Sequence, residues 1–198
     1  PSASAISFND TTLQTFEDVS ASSTYADVDA DAGTLTFRWF VNSSLVFTDV
    51  VNVAAGNVGS SVLDGTNYSR TDLVTVSVTP NDGDADGNAV NSALLTIVNT
   101  VPVASTVVVV PATPVTTDAL NVSFTFTDID SDLESGSLIR WFKDSVEQTA
   151  LENVSSVSGL NTAEGQEWNA RVTPNDGVGF GVEVTSNTVT IANTAPTV

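Results

Sequence analysis

Cysteine, methionine and histidine are all absent from the sequence. Their absence excludes disulfides, thiol nucleophiles, imidazole bases and zinc or copper sites, because each of these needs one of the missing side chains. Any metal site must therefore be built from oxygen atoms. Since there is also only one lysine, paired carboxylates are the remaining route to catalysis, and we predict that the chain is not an enzyme.

Basic residues are scarce: 5 lysines and arginines stand against 24 aspartates and glutamates, which gives a formal net charge of -19. Such a surface repels phosphate backbones and anionic membranes, because binding them requires Lys or Arg to replace counterions. Nucleic acid is therefore excluded as a partner. Cations are the natural counterpart, and acidity for solubility alone is the alternative explanation.

Long apolar runs and long stretches of helix-forming residues are missing as well. No run approaches the ~20 apolar residues of a membrane-spanning helix, so we predict no membrane insertion by this segment. The first residues show no signal-peptide pattern, and we expect an excerpt of a longer protein. Val and Thr are abundant instead, which predicts an all-β fold.

The sequence contains an internal repeat. P-S-A-S at Pro1 matches P-V-A-S at Pro102, and V-T-P-N-D-G occurs both at Val78 and at Val172. Units of about a hundred residues that follow each other without a linker are typical of repeat arrays. We predict a first repeat over residues 1–101, a second over 102–195, and the start of a further repeat at 196–198.

Each copy alternates apolar and polar residues with the period of a strand. Residues 120–126 place Leu, Val, Phe and Phe on one side, which predicts a half-buried strand. The next strand carries R-W-F, at Arg38 and again at Arg140, where immunoglobulin-like sandwiches place their core indole. We predict two tandem immunoglobulin-like antiparallel β-sandwiches, with later strands over residues 73–78, 93–98, 168–172 and 182–192.

Three motifs follow one another in both copies and together span most of each copy. They are D-x-D-x-D before the W-F strand, then V-T-P-N-D-G, and then S-x-x-x-T-I-x-N-T-x-P. This pattern resembles the tandem immunoglobulin-like, cadherin-like and PKD-like repeats of large archaeal and bacterial cell-surface proteins. The resemblance implies an extracellular location at the cell surface. It also implies a structural role in a filament, stalk, surface layer or adhesin.

Aspartates alternate just before the R-W-F strand of each copy. The two sets are Asp27, Asp29 and Asp31, and Asp128, Asp130 and Asp132. In an extended segment, alternate carboxylates lie on one face roughly 7 Å apart, and they repel unless a cation or proton sits among them. Calcium fits best because it takes about six to eight oxygen ligands in irregular geometry. Solvated, turn-forming aspartates are the alternative.

The loop after V-T-P-N-D-G lies at the same pole of an immunoglobulin-like fold as the alternating aspartates. We therefore expect Asp176 to join the second set, and the resemblance to cadherin-type repeats implies a calcium ion that stiffens the junction between repeats. In the first copy this loop carries Asp82, Asp84 and Asp86, which either bind metal or form a simple turn. An EF-hand is excluded, because alanine stands where the bidentate Glu should be.

Two functional hypotheses remain. The first is a structural repeat whose partners are neighbouring repeats or identical subunits in an array. The second is a carbohydrate- or protein-binding adhesion module of a larger secreted protein or enzyme, with glycans or cell-surface proteins as partners. The second requires exposed aromatic residues, for which the candidates are Trp168, Phe180, Tyr68 and Phe47.

Five sequons permit N-glycosylation in a secreted protein. They lie at Asn9, Asn42, Asn67, Asn121 and Asn153.

Overall fold

The alternating pattern produces strands along the whole chain in the computed structural model, which describes residues 1–195. The chain divides into two units, Pro1–Asn99 (unit 1) and Thr100–Val198 (unit 2), whereas the predicted division falls after residue 101. The predicted start of a third repeat, 196–198, lies outside the described residues. Within the described part, no helix has the length and apolar character needed to cross a membrane.

Unit 1 is a sandwich of two antiparallel sheets. The first sheet contains β1 (Ser2–Ala3), β2 (Ser7–Phe8), β3 (Val19–Ala26) and β6 (Val58–Leu63), with β3 pairing with the other three. The second sheet contains β4 (Gly33–Val41), β5 (Ser44–Val53), β7 (Leu73–Asn81), β8 (Val90–Asn91) and β9 (Leu95–Thr96). Its order is β5-β4-β7-β8, with β9 also on β7.

The core of unit 1 closes over Trp39, which is fully buried on the central strand β4. Its indole N–H donates to Ser61 Oγ at 3.1 Å, so burial leaves no unsatisfied donor. Phe8 lies beside the indole, with ring centroids 6.2 Å apart. Near a short 3-10 turn (Gly65–Asn67), the buried Tyr68 hydroxyl donates to the Glu17 carbonyl, which ties the segment before β7 to the segment before β3.

Unit 2 repeats this plan with shorter strands. One sheet has the order β10-β11-β14, formed by Val103–Val110, Leu120–Thr127 and Ser156–Val157. The other contains β12 (Leu138–Lys143), β13 (Val146–Glu147), β15 (Glu167–Thr173), β16 (Val184–Thr185) and β17 (Val189–Thr190). Its order is β13-β12-β15-β16, with β17 also on β15. Two 3-10 turns span Thr149–Leu151 and Gly159–Asn161.

Two indoles fill the core of unit 2. Trp141 and Trp168 are both buried and meet edge to face, with centroids 6.4 Å apart. The Trp141 N–H donates to the Val154 carbonyl at 2.7 Å, and the Trp168 N–H donates to Gln166 Oε1 at 3.1 Å. The two sandwiches confirm the predicted all-β, immunoglobulin-like fold.

The last strand of each unit is interrupted. The continuous strand predicted over 182–192 is wrong, because it is divided into β16 and β17. The strand predicted over 93–98 is confirmed only over β9, Leu95–Thr96. At Ser92 the side-chain oxygen accepts the Val76 N–H at 3.0 Å while its own N–H donates to the Val76 carbonyl at 2.9 Å. Ser186 forms the same two bonds with Ala170. Because a hydroxyl replaces the backbone acceptor at this point, the ladder breaks into β8 and β9, and into β16 and β17.

Candidate metal sites

Two loops of unit 2 meet at one end of the sandwich, the β11–β12 loop and the β15–β16 loop. Asp128 and Asp132 lie on the first loop and Asp176 lies on the second. Each offers a carboxylate oxygen, and these three oxygens lie within 4.8 Å of one another. Carboxylates at this separation repel each other, so the cluster is suited to a cation with oxygen ligands.

Asp128 is fixed by the loop that follows it. Its Oδ1 accepts the N–H groups of Asp130 at 2.8 Å and of Asp132 at 3.2 Å, which forms a side-chain-closed turn. Its other oxygen, Oδ2, is buried and receives no hydrogen bond from the described residues. A buried carboxylate oxygen without a partner is unfavourable, and a bound cation would supply that partner.

Asp176 is only 7% exposed. Its Oδ1 accepts the N–H groups of Val178 and Gly179, both at 2.6 Å, so the loop wraps around this carboxylate. The loop also lies directly on the first segment of unit 2, since a Cβ at Gly181 would come within 1.9 Å of the Pro102 carbonyl oxygen. Only glycine allows that approach, because any Cβ would overlap the Pro102 carbonyl oxygen.

Unit 1 builds the same turn around Asp27. Its Oδ1 accepts the N–H groups of Asp29 at 2.9 Å and of Asp31 at 3.4 Å, and oxygens of these three aspartates lie within 4.8 Å of one another.

Tyr25 is a neighbour of the unit 1 cluster that the sequence analysis missed. Its side chain is fully buried and its hydroxyl forms no hydrogen bond with any described residue. Burial raises its pKa above the ordinary value, and the charges of Asp27, Asp82 and Asp31 raise it further. The available signal was a difference between copies, because the position equivalent to Tyr25 in unit 2 is Phe126.

Four of the predicted ligands do not belong to either cluster among the described residues. Asp82 Oδ1 accepts the N–H groups of Ala85 and Asp84. Both hydrogen bonds lower the pKa of Asp82, and the bond from Ala85 has the larger effect. Asp86 accepts from Asn81 Nδ2 at 2.8 Å, and Asp84 is exposed. The loop that holds these three is therefore closed by its own hydrogen bonds.

Asp130 is the fourth, since it lies outside the group formed by its neighbours. Its Oδ2 accepts the N–H of Thr100 at 2.6 Å. The alternating pattern could not reveal this, because the turn around Asp128 replaces the extended segment on which the prediction depended.

The five sequon asparagines differ in how the fold uses them. Asn42 and Asn67 donate through Nδ2, to Asp72 and to the Asp64 carbonyl. Asn9 and Asn153 accept through Oδ1, from the N–H groups of Ser20 and Ile139. Asn121 is exposed on β11, so its amide points to solvent as the alternation predicted.

The four aromatic candidates for ligand binding differ in their exposure to solvent. Trp168 and Tyr68 are buried, so neither is a surface contact residue, whereas Phe47 and Phe180 are exposed. Every tryptophan of the chain therefore lies in a core.

Taken together, strand order and core define the chain as a pair of tandem immunoglobulin-like domains. No protein-family model and no curated protein sequence matches it. Among solved structures it is similar to a two-domain fibronectin type III segment of chicken tenascin, with 13% identity, TM-score 0.45 and coverage of 95% of this chain and 98% of that one.

Two other solved structures are similar as well. One is a Ca2+-stabilized adhesin described as helping an Antarctic bacterium bind ice, with 20% identity, TM-score 0.39 and coverage of 98% of this chain and 49% of that one. The other is the D0-D1 segment of intimin, with 11% identity, TM-score 0.37 and coverage of 96% and 99%.

Proposed function

We propose that this chain is a non-catalytic structural repeat of an extracellular filament, stalk, surface layer or adhesin at a cell surface. Its partners are neighbouring repeats or identical subunits in an array. Each repeat takes up calcium at the aspartate-rich end of its sandwich, and the ion stiffens the connection where one repeat follows another.

The observation that carries the calcium proposal is the cluster of Asp128, Asp132 and Asp176. Three carboxylate oxygens from two loops lie within 4.8 Å of one another, and the buried Asp128 Oδ2 receives no hydrogen bond from residues 1–195. Hard oxygen ligands in an irregular arrangement suit calcium. A chain without Cys or His offers softer metals no ligand.

Calcium bound there would tie the β11–β12 loop to the β15–β16 loop. Asp128 and Asp132 would hold it from one side and Asp176 from the other. Since Thr100 and Pro102 contact these same two loops, ordering the loops also orders the segment through which the chain enters unit 2. That is the physical basis for proposing a stiffer connection between repeats.

Calorimetric melting of the whole chain, with calcium or with chelator, tests the calcium proposal. An ion that binds only the folded state adds about 2.7 kcal/mol at a hundredfold excess over its Kd, so calcium should raise the melting temperature of unit 2. The Asp128→Asn and Asp176→Asn double variant should lose this rise. Asp130→Asn is the matched control, because it removes a neighbouring carboxylate that lies outside the cluster.

The outcomes separate the two parts of the proposal. Equal melting in millimolar calcium and in chelator rejects the ion and leaves the structural repeat to be tested by imaging of assembled arrays. An equal rise with magnesium or with monovalent salt also rejects a built site, because it indicates general screening. Retention of the full rise in the double variant places the ion elsewhere.

A second candidate is the carbohydrate- or protein-binding adhesion module, which the exposed Phe47 and Phe180 favour. Aromatic rings outside the core are the residues that such a module uses for contact. Binding on a glycan array that is lost in Phe47→Ala or Phe180→Ala would support it.

A further inference from the structure

The outer face of the second sheet differs between the two units, although both carry R-W-F on the central strand. In each unit the Trp points into the core, so by strand alternation the flanking Arg and Phe lie on the outer face. The two pairs are Arg38 with Phe40 and Arg140 with Phe142.

Unit 2 covers its outer Phe142 with its own side chains. The Arg171 guanidinium lies over the ring at 4.2 Å from the centroid, and that of Arg140 lies at 5.9 Å. Glu183 pairs with both arginines, and Glu147 lies 3.5 Å from Arg140. Phe142 is left only 8% exposed, so this face is closed by cation–π contacts and ion pairs.

Unit 1 keeps the first arginine, Arg38, and replaces the other three parts of that cover. Leu45 lies opposite Phe40 where Glu147 lies opposite Phe142. Ser77 lies opposite Arg38 where Arg171 lies opposite Arg140. Directly before β8 stands Ala89, and directly before β16 stands Glu183.

As a result, the outward positions of β4, β5 and β7 carry uncovered apolar side chains among Thr and Ser, and no acid. Leu45 is 54% exposed and Val50 57%, and Phe40 is half-buried. Arg38 is exposed, its Nη1 donates to Thr79 Oγ1 at 3.3 Å, and it forms no ion pair with any described carboxylate. We call this surface the outer patch, formed by Arg38, Phe40, Leu45, Thr48, Val50 and Thr79.

The outer patch is exceptional in its charge. The strands β4 and β7 contain no acid, and the one acid of β5, Asp49, lies opposite the core residue Phe37. The chain as a whole contains 24 Asp and Glu residues and has a net charge of -19. An exposed guanidinium beside apolar and aromatic groups, with acids excluded, has the composition of a protein interface.

We propose that the outer patch binds a second copy of this chain. Charge complementarity favours this occupant, because Arg38 lacks a carboxylate and the surface of another copy is rich in them. Unit 2 shows which groups cover this Arg and Phe. Carboxylates pair with the arginine, and the planar guanidinium of Arg171 lies over the phenylalanine ring. The inference rests on the proposed array, in which copies lie close together.

The contact joins the outer patch of one copy to an acidic surface of the next. Two different surfaces meet, so the assembly is head-to-tail and can continue. The association is salt-dependent, because salt screens both the net repulsion between copies and the attraction between Arg38 and carboxylates.

Sedimentation velocity of the whole chain, from micromolar to about 1 mM protein, tests the proposal. The triple variant Leu45→Glu, Ser77→Arg, Ala89→Glu transplants the cover of unit 2 onto unit 1 at positions with the same register. It should weaken association at least tenfold. Val58→Glu is the matched control, since it makes the same change in net charge at an exposed position on the other sheet and should associate as the wild type does.

Arg38→Gln is the second variant, and it should also weaken association about tenfold while leaving the fold intact. A wild-type chain that stays monomeric at about 1 mM, or a triple variant that associates like the wild type, overturns the proposal. Binding of the monomeric chain to alginate that the triple variant abolishes also overturns it, because the occupant is then an anionic glycan.

Failure here is distinguishable from failure of the calcium proposal. All three substitutions leave the aspartate clusters unchanged, so the triple variant should keep the calcium-dependent rise in melting temperature. Association that persists in chelator and is lost in the triple variant supports the outer patch independently of the ion.

Discussion

Unit 1 and unit 2 place the same indole in the same strand and surround it with different side chains. Trp39 packs beside Phe8 and donates to the hydroxyl of Ser61. Trp141 meets a second indole, Trp168, and donates to a backbone carbonyl. The difference teaches that the frame requires a central Trp with a satisfied N–H, and that the partner of the N–H is free to vary.

The strand after the R-W-F strand shows where the copies diverge most. Both units turn through two residues of positive φ, Asn42 and Ser43 in unit 1 and Asp144 and Ser145 in unit 2. After the turn, β5 runs for 10 residues along β4, whereas β13 has only 2. The variation therefore lies at the sheet edge and on the outer face, where burial does not restrict side chains.

Removal of a buried indole should have the largest effect on the stability of a unit. Trp141→Ala should destabilise unit 2 by about 3–5 kcal/mol, because it removes a fully buried side chain and leaves a cavity. Hydrogen exchange measured by mass spectrometry, which follows each unit by its own peptides, should show faster exchange in unit 2 and unchanged exchange in unit 1. Trp39→Ala should give the reverse. Equal acceleration in both units would show that the copies unfold as one body.

The hydrogen bond from Tyr68 to the Glu17 carbonyl provides the next effect, and unit 2 contains no tyrosine that could form its equivalent. Tyr68→Phe should cost unit 1 about 1–2 kcal/mol, since it leaves the Glu17 carbonyl without its donor. The equivalent residue in unit 2 is Thr162, whose hydroxyl donates to the Gly159 carbonyl at 3.0 Å. Thr162→Val is the control and should cost less, because Thr162 is half-buried. Equal losses in denaturant melts would contradict the assigned role of Tyr68.

The sequence predicted the frame because the frame depends on local alternation. R-W-F at Arg38 and Arg140 located both cores, and the loop positions alone predicted that Asp176 would approach Asp128. The interruption at Ser92 escaped prediction, since it requires a hydroxyl to replace a backbone acceptor on a neighbouring strand. The outer patch also escaped, because its cover depends on cross-strand register between residues far apart in the sequence.

Alkaline pH should again make the two units differ in stability, by less than the substitutions described above. Both tyrosines of the chain, Tyr25 and Tyr68, belong to unit 1. Burial is the main cause that raises the pKa of each above 10.0, and the charges of nearby carboxylates raise it further. A raised pKa means that the folded state keeps a proton that the unfolded chain loses. The contribution of the tyrosines to the stability of unit 1 should therefore be constant below pH 10.0 and be lost above it, and unit 2 has no tyrosine contribution.

Hydrogen exchange across that pH range, corrected for the intrinsic rate, checks this expectation. In the Tyr25→Phe and Tyr68→Phe double variant the difference between the units should shrink. A fall in unit 2 as steep as that in unit 1 would assign the alkaline effect to general charge repulsion instead.

The smallest effect concerns the residues that cap two equivalent 3-10 turns. Asp64 caps the turn of unit 1 and accepts from Thr66, while Ser158 caps that of unit 2 and accepts from the Leu160 N–H at 3.3 Å. The Thr66 hydroxyl, and then its N–H, lower the pKa of Asp64 below its ordinary 3.8. A lowered pKa contributes stability that is present above pH 3.8 and is lost as the pH falls through the folded value.

Asp64→Ser gives unit 1 the cap of unit 2 and removes this titrating group. The stability of unit 1 near neutral pH should stay close to that of the wild type, because Asp and Ser are comparable caps. Below pH 3.8 its acid-induced loss should become shallower and approach that of unit 2. Ser158→Asp should steepen the loss of stability of unit 2 at acid pH. If neither substitution changes how steeply stability falls in an acid titration, the capping residue does not cause the difference in acid stability between the units.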